Sequence, residues 1–222
     1  MDFVALDFET ANSDLASACE IGLVKVESGR ITGRYTSLIR PPEDLFRVSH
    51  FNSRIHGISL EMIQGASRFD QIADEVFGFI GNSPLVAHQA SADIAILNAL
   101  GNRYQIEIPA NQVFCTLRLS QALLKLEKNG LESVADHLGI PITTAHRALP
   151  DAEVDAQIAC ALLALANSNS LLELFSELSV FIGEADKRQT KSGRSSSSRD
   201  LIDRVARGKN PKFSLDNFSA EI

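Results

Sequence analysis

Phe3-Val4-Ala5-Leu6-Asp7-Phe8-Glu9-Thr10 is the stretch on which the fold turns. Its apolar and β-branched run reads as a strand that begins almost at the N-terminus. Two carboxylates interrupt it, Asp7 and Glu9, and side chains at i and i+2 of a strand project from the same face. Two acids side by side on a core strand repel each other and are costly to desolvate unless a cation or a proton compensates. An isolated Asp-x-Glu is more ordinarily a strand end with its polar face in solvent, so the pair alone decides nothing.

Downstream, residues 21–26 and 34–39 are further strand candidates. The turn signal Glu27-Ser28-Gly29-Arg30 between them predicts an antiparallel meander, ended by Pro41-Pro42. Apolar residues at 72, 73, 76, 77 and 80 predict a helix over 70–80 with Gly81 as its stop. Residues 84–87 read as a short strand, and 91–100 as a helix capped by Ser91 and stopped by Gly101. A brief strand over 113–115 precedes helices over 117–126 and 131–138, the second ending at Gly139. A long helix over 151–167 is apolar on most faces beyond its first turn, which predicts packing on several sides, and another helix is expected over 171–182. Three early strands followed by short strands alternating with helices predict an α/β fold with a mixed sheet. Residues 189–199 are polar, with five serines and a glycine, and cannot bury a core. The expected organisation is a folded domain over 1–168, a C-terminal helix over 169–185 and a flexible, basic, Ser-rich tail over 186–222.

Composition narrows the classes. The 222 residues are 45% apolar and 22% charged, ordinary for one globular domain or a little more. The longest apolar run, residues 158–166, falls well short of the roughly 20 residues of a membrane span. The first residues lack the basic-then-apolar layout of a signal peptide. Cys19, Cys115 and Cys160 are odd in number and far apart, so neither a disulfide framework nor a zinc cluster follows. The expectation is a reduced, cytoplasmic protein with no membrane partner. The formal charge of −7 hides an asymmetry: from Lys187 onward nine Lys/Arg face four acids, whereas the preceding residues carry 12 basic and 24 acidic side chains. Surface solubility explains such a balance, and so does a carboxylate-rich metal site with a basic arm for a polyanion.

Asp93 lies in the first turn of the 91–100 helix, directly after a strand, and Asp151 opens the long apolar helix. Acids there favour the helix dipole, worth roughly 0.3–1 kcal/mol. Both also lie at sheet-proximal ends of elements, the usual place for a site in an α/β domain. His146 precedes Asp151 by five residues, in the loop Thr143-Thr144-Ala145-His146-Arg147. Four carboxylates and a histidine so placed suit phosphodiester hydrolysis by two hard divalent cations, Mg²⁺ or Mn²⁺, with the imidazole taking a proton from the attacking water.

Three segments resemble the motifs of the DEDDh 3′→5′ exonucleases, the group that includes the proofreading epsilon subunit of bacterial DNA polymerase III. Ala5-Leu6-Asp7-Phe8-Glu9-Thr10-Ala11-Asn12 resembles the first motif, Leu85-Val86-Ala87-His88-Gln89-Ala90-Ser91-Ala92-Asp93 the second, and His146-Arg147-Ala148-Leu149-Pro150-Asp151-Ala152 the third. Secondary matches are Ile55-His56-Gly57-Ile58, Cys115-Thr116-Leu117-Arg118-Leu119 and residues 131–141, so the resemblance covers about residues 1–166 in order.

The resemblance implies a ribonuclease-H-like mixed five-stranded sheet flanked by helices. It implies that Asp7, Glu9 and Asp151 hold the catalytic metal, with Asp7 shared with a second ion, that Asp93 completes the site through water, and that His146 is the general base. Thr10 and Ala11 would lie against the terminal nucleotide, and His56, Gly57 and Ile58 would line its pocket. The implied partner is a nucleic-acid 3′ end, DNA ahead of RNA, with a DNA polymerase or a second copy of the chain as protein partner. Alternatives are an exoribonuclease using the same site, and a non-enzymatic polymerase-accessory subunit, against which the intact set of five residues argues. Gln89 and Ala92 depart from the Asn and Phe that many members carry, which bears on rate and substrate preference. Asp155, one helical turn beyond Asp151, is an alternative ligand, whereas Glu20 and His88 read as structural.

Overall fold

The structure, a computed structural model, describes residues 1–178 together with the backbone of Gly183 and Glu184. Its centre is β1 (Phe3–Thr10), paired antiparallel with β2 (Ala18–Glu27) and parallel with β4 (Leu85–Ala87). β2 carries β3 (Arg30–Leu38) on its outer edge, and β4 runs parallel to β5 (Gln112–Cys115). This is the expected mixed five-stranded sheet. A two-residue β6 (Gly183–Glu184) adds an antiparallel sixth strand to β5 that the sequence does not announce. The β2–β3 hairpin turns through Ser28 and Gly29, both at positive φ, the backbone that matches the twist of paired strands.

Helices cover both faces because β1 alternates. Phe3 and Ala5 join one core with α5 (Thr116–Leu123), α6 (Leu131–Leu138), α7 (Ala148–Leu165) and α8 (Leu171–Glu177). Val4, Leu6 and Phe8 enter the opposite core with α3 (Phe69–Ile80) and α4 (Ala90–Tyr104). α7 is apolar almost all round, as its sequence requires, and twelve of its residues are buried. α8 joins the same core, with Phe175 edge-on to Phe114 at a centroid distance of 4.9 Å.

Several boundaries differ from the sequence reading, each for a physical reason. α7 starts at Ala148 rather than Asp151, because Pro150 falls in the first turn, where a missing N–H costs nothing. α4 runs past Gly101 to Tyr104 and stops only at Gln105, which takes the left-handed conformation. Gly101 is there for space: a Cβ on it would come within 2.7 Å of the Ile108 side chain on the returning chain. α4 is also preceded by Gln89 at its N-cap, not Ser91, and α5 spans residues 116–123 rather than 117–126. Two short helices, α1 (His50–His56) and α2 (Leu60–Gln64), have too few turns to reveal a period. The expected basic tail over 186–222, and the last residues of the helix expected to reach residue 182, lie outside the described residues.

Gly22 is the contact on which the active end of the fold rests. It is the cross-strand partner of Asp7, and a Cβ on it would sit 2.2 Å from the Ala148 carbonyl carbon. The first turn of α7 therefore lies directly on bare β2 backbone. Gly22→Ala is expected to destabilise the fold by about 2–3 kcal/mol through overpacking. Gly33→Ala, where a Cβ would meet Phe79 in ordinary contact at 3.4 Å, is the control and should be nearly neutral. Parallel denaturation of both variants measures the difference, and equal midpoints would remove the close-approach argument.

Candidate active site

Asp7 and Glu9 continue the face of β1 that Phe3 and Ala5 begin, so they point toward α7. The approach of α7 over Gly22 brings Asp151 to them, and one carboxylate oxygen from each of Asp7, Glu9 and Asp151 lies within 4.8 Å of the others. Asp7 and Glu9 are partly exposed and Asp151 is buried. Asp151 Oδ2 accepts a hydrogen bond from the His146 backbone N–H at 3.0 Å, while its buried Oδ1 has no hydrogen-bond partner among the described residues.

The electrostatics are those of acids forced together. Burial, and then the charges of Asp93, Glu9, Asp151 and Asp155, hold the Asp7 carboxyl well above the usual carboxylate range. Burial pushes Glu9 up to about 7, helped by Asp151 and Glu20 and opposed by the Arg147 guanidinium. Burial raises Asp151 to about 6, against the His146 backbone hydrogen bond.

Asp93 stands beside this cluster from the other side of the sheet. β4 ends at Ala87, so the Phe8 N–H on that edge of β1 has no strand partner, and Asp93 Oδ1 accepts it at 3.2 Å. Asp93 is buried, and burial raises its proton affinity despite that hydrogen bond. It is not one of the three acids within mutual ligand distance.

His146 has φ +59°, a strained conformation for a non-glycine residue. Its exposed ring lies with Nε2 4.0 Å from Glu132 Oε1 rather than among the three acids. The loop is clamped on both sides of this residue. Asp151 takes the His146 N–H, and Glu20 takes the Arg147 side chain and the Ala148 N–H, the latter at 3.0 Å. The Glu20–Arg147 clamp was not legible in the sequence beyond a structural role for Glu20. The signal was the register that sets Glu20 opposite Glu9, and a bulge between Glu9 and Thr10 hides that register from simple counting.

Past the bulge, the Thr10 carbonyl accepts from Asn52 Nδ2 at 2.8 Å and faces His56 Nε2 at 3.2 Å. The Ile58 N–H donates to His56 Nδ1, which leaves the hydrogen on Nε2 to donate to Thr10. Burial lowers the pKa of His56, keeping this neutral form. Ala11 and Ile58 are fully buried in a small core with Cys19 and Ile63, so they shape the surroundings of Thr10 without offering side-chain surface. Gly57 is exposed in the left-handed cap of α1. Asp155 turns away from the three acids, with Oδ1 bonded to the Thr116 hydroxyl, which also faces His88 Nδ1 at 3.0 Å. His88 Nε2 donates to the Asn129 carbonyl at 2.8 Å. Gln89 is exposed at the α4 N-cap and Ala92 is partly exposed beside it. All three cysteines are free, and among the described residues no helix is long and apolar enough to cross a membrane.

Comparison with known proteins agrees with this geometry. The exonuclease family model RNase_T matches residues 4–159. DNA polymerase III PolC-type of Thermotoga petrophila is 37% identical over 158 residues, covering 70% of this chain and 11% of that protein. The chain thus spans about a tenth of the length of that relative. DNA polymerase III subunit epsilon of Aquifex aeolicus is 28% identical over 159 residues, covering 70% of this chain and 77% of the relative. Among solved structures, the nuclease domain of 3′hExo, a DEDDh family member bound to rAMP, superposes with a TM-score of 0.66 at 18% identity, covering 73% of this chain and 92% of that one. At that identity the likeness speaks for the fold. With the family model spanning residues 4–159 and three acids of the sequence motifs gathered at one end of the sheet, the chain belongs to the RNase_T exonuclease family.

Proposed function

We propose that this protein is a divalent-metal-dependent 3′→5′ exonuclease that releases nucleoside monophosphates from DNA 3′ ends. The observation that carries the reading is the convergence of Asp7, Glu9 and Asp151 to within 4.8 Å. The donor set fits a hard cation: it is all oxygen, its members are driven toward protonation when nothing compensates them, and a buried Asp151 oxygen lacks a hydrogen-bond partner among the described residues. Asp7, Glu9 and Asp151 would hold Mg²⁺ or Mn²⁺, with Asp7 shared with a second ion and Asp93 joining through water. When bound, such ions supply charge stabilisation for the attacking and leaving oxygens of an in-line displacement.

The chain's own residues do the rest in this reading. His146 takes the proton from the attacking water, and its backbone N–H orients Asp151. Asn52 and His56 hold the Thr10 carbonyl where the strand end meets the terminal nucleotide, beside Ala11, Gly57 and Ile58. Phe51 and Ile55, one turn apart on α1 and both exposed, offer bases an apolar face. Action on DNA rather than RNA and a DNA polymerase as partner are supported by the two polymerase III relatives; a second copy as the alternative partner and a cytoplasmic location belong to the same proposal. Release from 3′-labelled and 5′-labelled DNA and RNA strands, compared in Mg²⁺, Mn²⁺ and EDTA, tests direction and substrate together.

Asp7→Ala or Asp151→Ala is expected to abolish nucleotide release without unfolding the chain, and near-normal release from either would overturn the ligand assignment. His146→Ala should lower turnover by about 10²–10⁴-fold and flatten the acidic limb of the pH–rate profile, with little change in metal binding. An unaltered profile would exclude it as the base.

The raised carboxylates also fix how stability varies with pH. A carboxyl whose folded pKa exceeds its unfolded value stabilises the fold fully below the unfolded value and loses that contribution as pH rises through the folded one. For Glu9, at about 7, and Asp151, at about 6, the window runs from about pH 4 to about pH 7. In EDTA the melting temperature should therefore fall between about pH 4 and pH 7, and Mg²⁺ should restore it mainly at the upper end. Asp7→Asn should flatten that slope and remove the Mg²⁺ effect. A slope equal to that of the natural sequence would separate the cluster from the pH dependence.

A further inference from the structure

Arg147 is the cation of the site that catalysis, as proposed above, leaves unused. Glu20 is buried and stands directly opposite Glu9 in the β1–β2 ladder, so its position relative to the three acids is fixed by backbone pairing. Arg147 Nε lies 3.1 Å and 2.9 Å from the two Glu20 oxygens, and Nη2 also donates to Oε1. One edge of the guanidinium is thus locked in its plane. The other edge is free: Nη1 has no hydrogen-bond partner among the described residues, and the side chain is 35% exposed. Arg147 is also the cation that draws the Glu9 carboxyl back toward ionisation. A positive, planar, pre-oriented pair of N–H groups is therefore held at the rim of an acidic cluster that must admit a polyanion.

Guanidinium forks match phosphate geometry, and holding one edge on a buried carboxylate spares the entropy of ordering the other. We infer that the free edge of Arg147 binds a backbone phosphate of the substrate strand next to the three acids, and that Glu20 is the positioning residue that aims it. This rests on the exonuclease reading and adds a substrate contact to it. A purely structural clamp, pinning the His146 loop, would show itself differently: its loss would lower turnover and leave the electrostatics of strand binding alone.

The test uses the full chain and two variants. Glu20→Gln/Arg147→Met removes the contact without stranding a buried charge and leaves net charge unchanged, so any altered salt dependence is local. Arg147→Lys keeps the charge and loses the fork, and it serves if the double variant does not fold. Michaelis constant and turnover on a single-stranded oligonucleotide are read in Mg²⁺, and binding of the same strand is read by anisotropy in Ca²⁺ from about 50 to 200 mM salt. The double variant is expected to raise the Michaelis constant about tenfold with turnover within about threefold, and to reduce the slope of log affinity against log salt by about 0.7. Arg147→Lys should keep the slope and raise the Michaelis constant about threefold. Lost turnover with an unchanged Michaelis constant and slope, or kinetics and slopes equal to those of the natural sequence, overturns the phosphate contact and leaves the exonuclease reading standing. Failure of the natural sequence to release nucleotides overturns that reading instead, and the Ca²⁺ slopes then decide the contact alone.

Discussion

Asp151 reaches the acids of β1 because α7 can lie with its first turn on β2 at a position that has no side chain. Gly22 pairs with Asp7, and the Ala148 backbone occupies the space that any larger residue at 22 would need. The same helix buries twelve residues, ten of them apolar, against the sheet and the neighbouring helices, so apolar packing presses it down while the missing methyl sets how far it can go. The spacing of the acidic cluster, the start of the His146 loop and the reach of Glu20 to Ala148 all follow from that distance. A core helix thus acts as a ruler for charged groups.

Bringing like charges together in a half-buried space opposes folding, and the structure gives the acids around Asp7 and Glu9 backbone N–H donors. Asp93 receives the Phe8 N–H, Asp151 the His146 N–H, and Glu20 a guanidinium and a further N–H. Backbone donors suit this task because they add little net charge and cannot swing away. Burial first, and the charges of neighbouring acids after it, raise the proton affinities of Asp7, Glu9 and Asp151, the three acids whose oxygens converge. Stabilisation by protons in the free protein and by cations in the loaded one are then two uses of the same strain.

Much of this was legible because the deciding signals are periodic or local. The alternation of residues 3–10 placed Asp7 and Glu9 on one face, and the turn at Ser28-Gly29 announced the meander. What could not be read is what depends on three-dimensional neighbours. Gly101 looks like a helix stop in sequence and proves to be a seat for Ile108, and Pro150 looks like a barrier and sits harmlessly in a first turn. The sixth strand has two residues and α2 has five, too few to carry a pattern. Within the site, the identities of the acids were visible. The Arg147 clamp and the engagement of Asp155 with Thr116 depend on strand register and on helices meeting from different parts of the chain.

The chain from Asn129 through His88 and Thr116 to Asp155 allows hydrogens to be counted. The Asn129 carbonyl can only accept, so His88 Nε2 must carry a hydrogen. Thr116 has one hydroxyl hydrogen, yet its oxygen lies against both His88 Nδ1 and Asp155 Oδ1. To make both contacts hydrogen bonds, a second hydrogen must reside on the imidazole or on the carboxyl. In the first case His88 is a cation and Asp155 an anion; in the second both are neutral, the form favoured by burial, which lowers His88 and raises Asp155 to about 7. Either way the trio sums to zero charge. Asp155, an acid one turn below Asp151, therefore acts on Asp7 as part of a network that carries no net charge while it is complete. Glu20, opposite Glu9 in the ladder, is likewise balanced, by the Arg147 guanidinium.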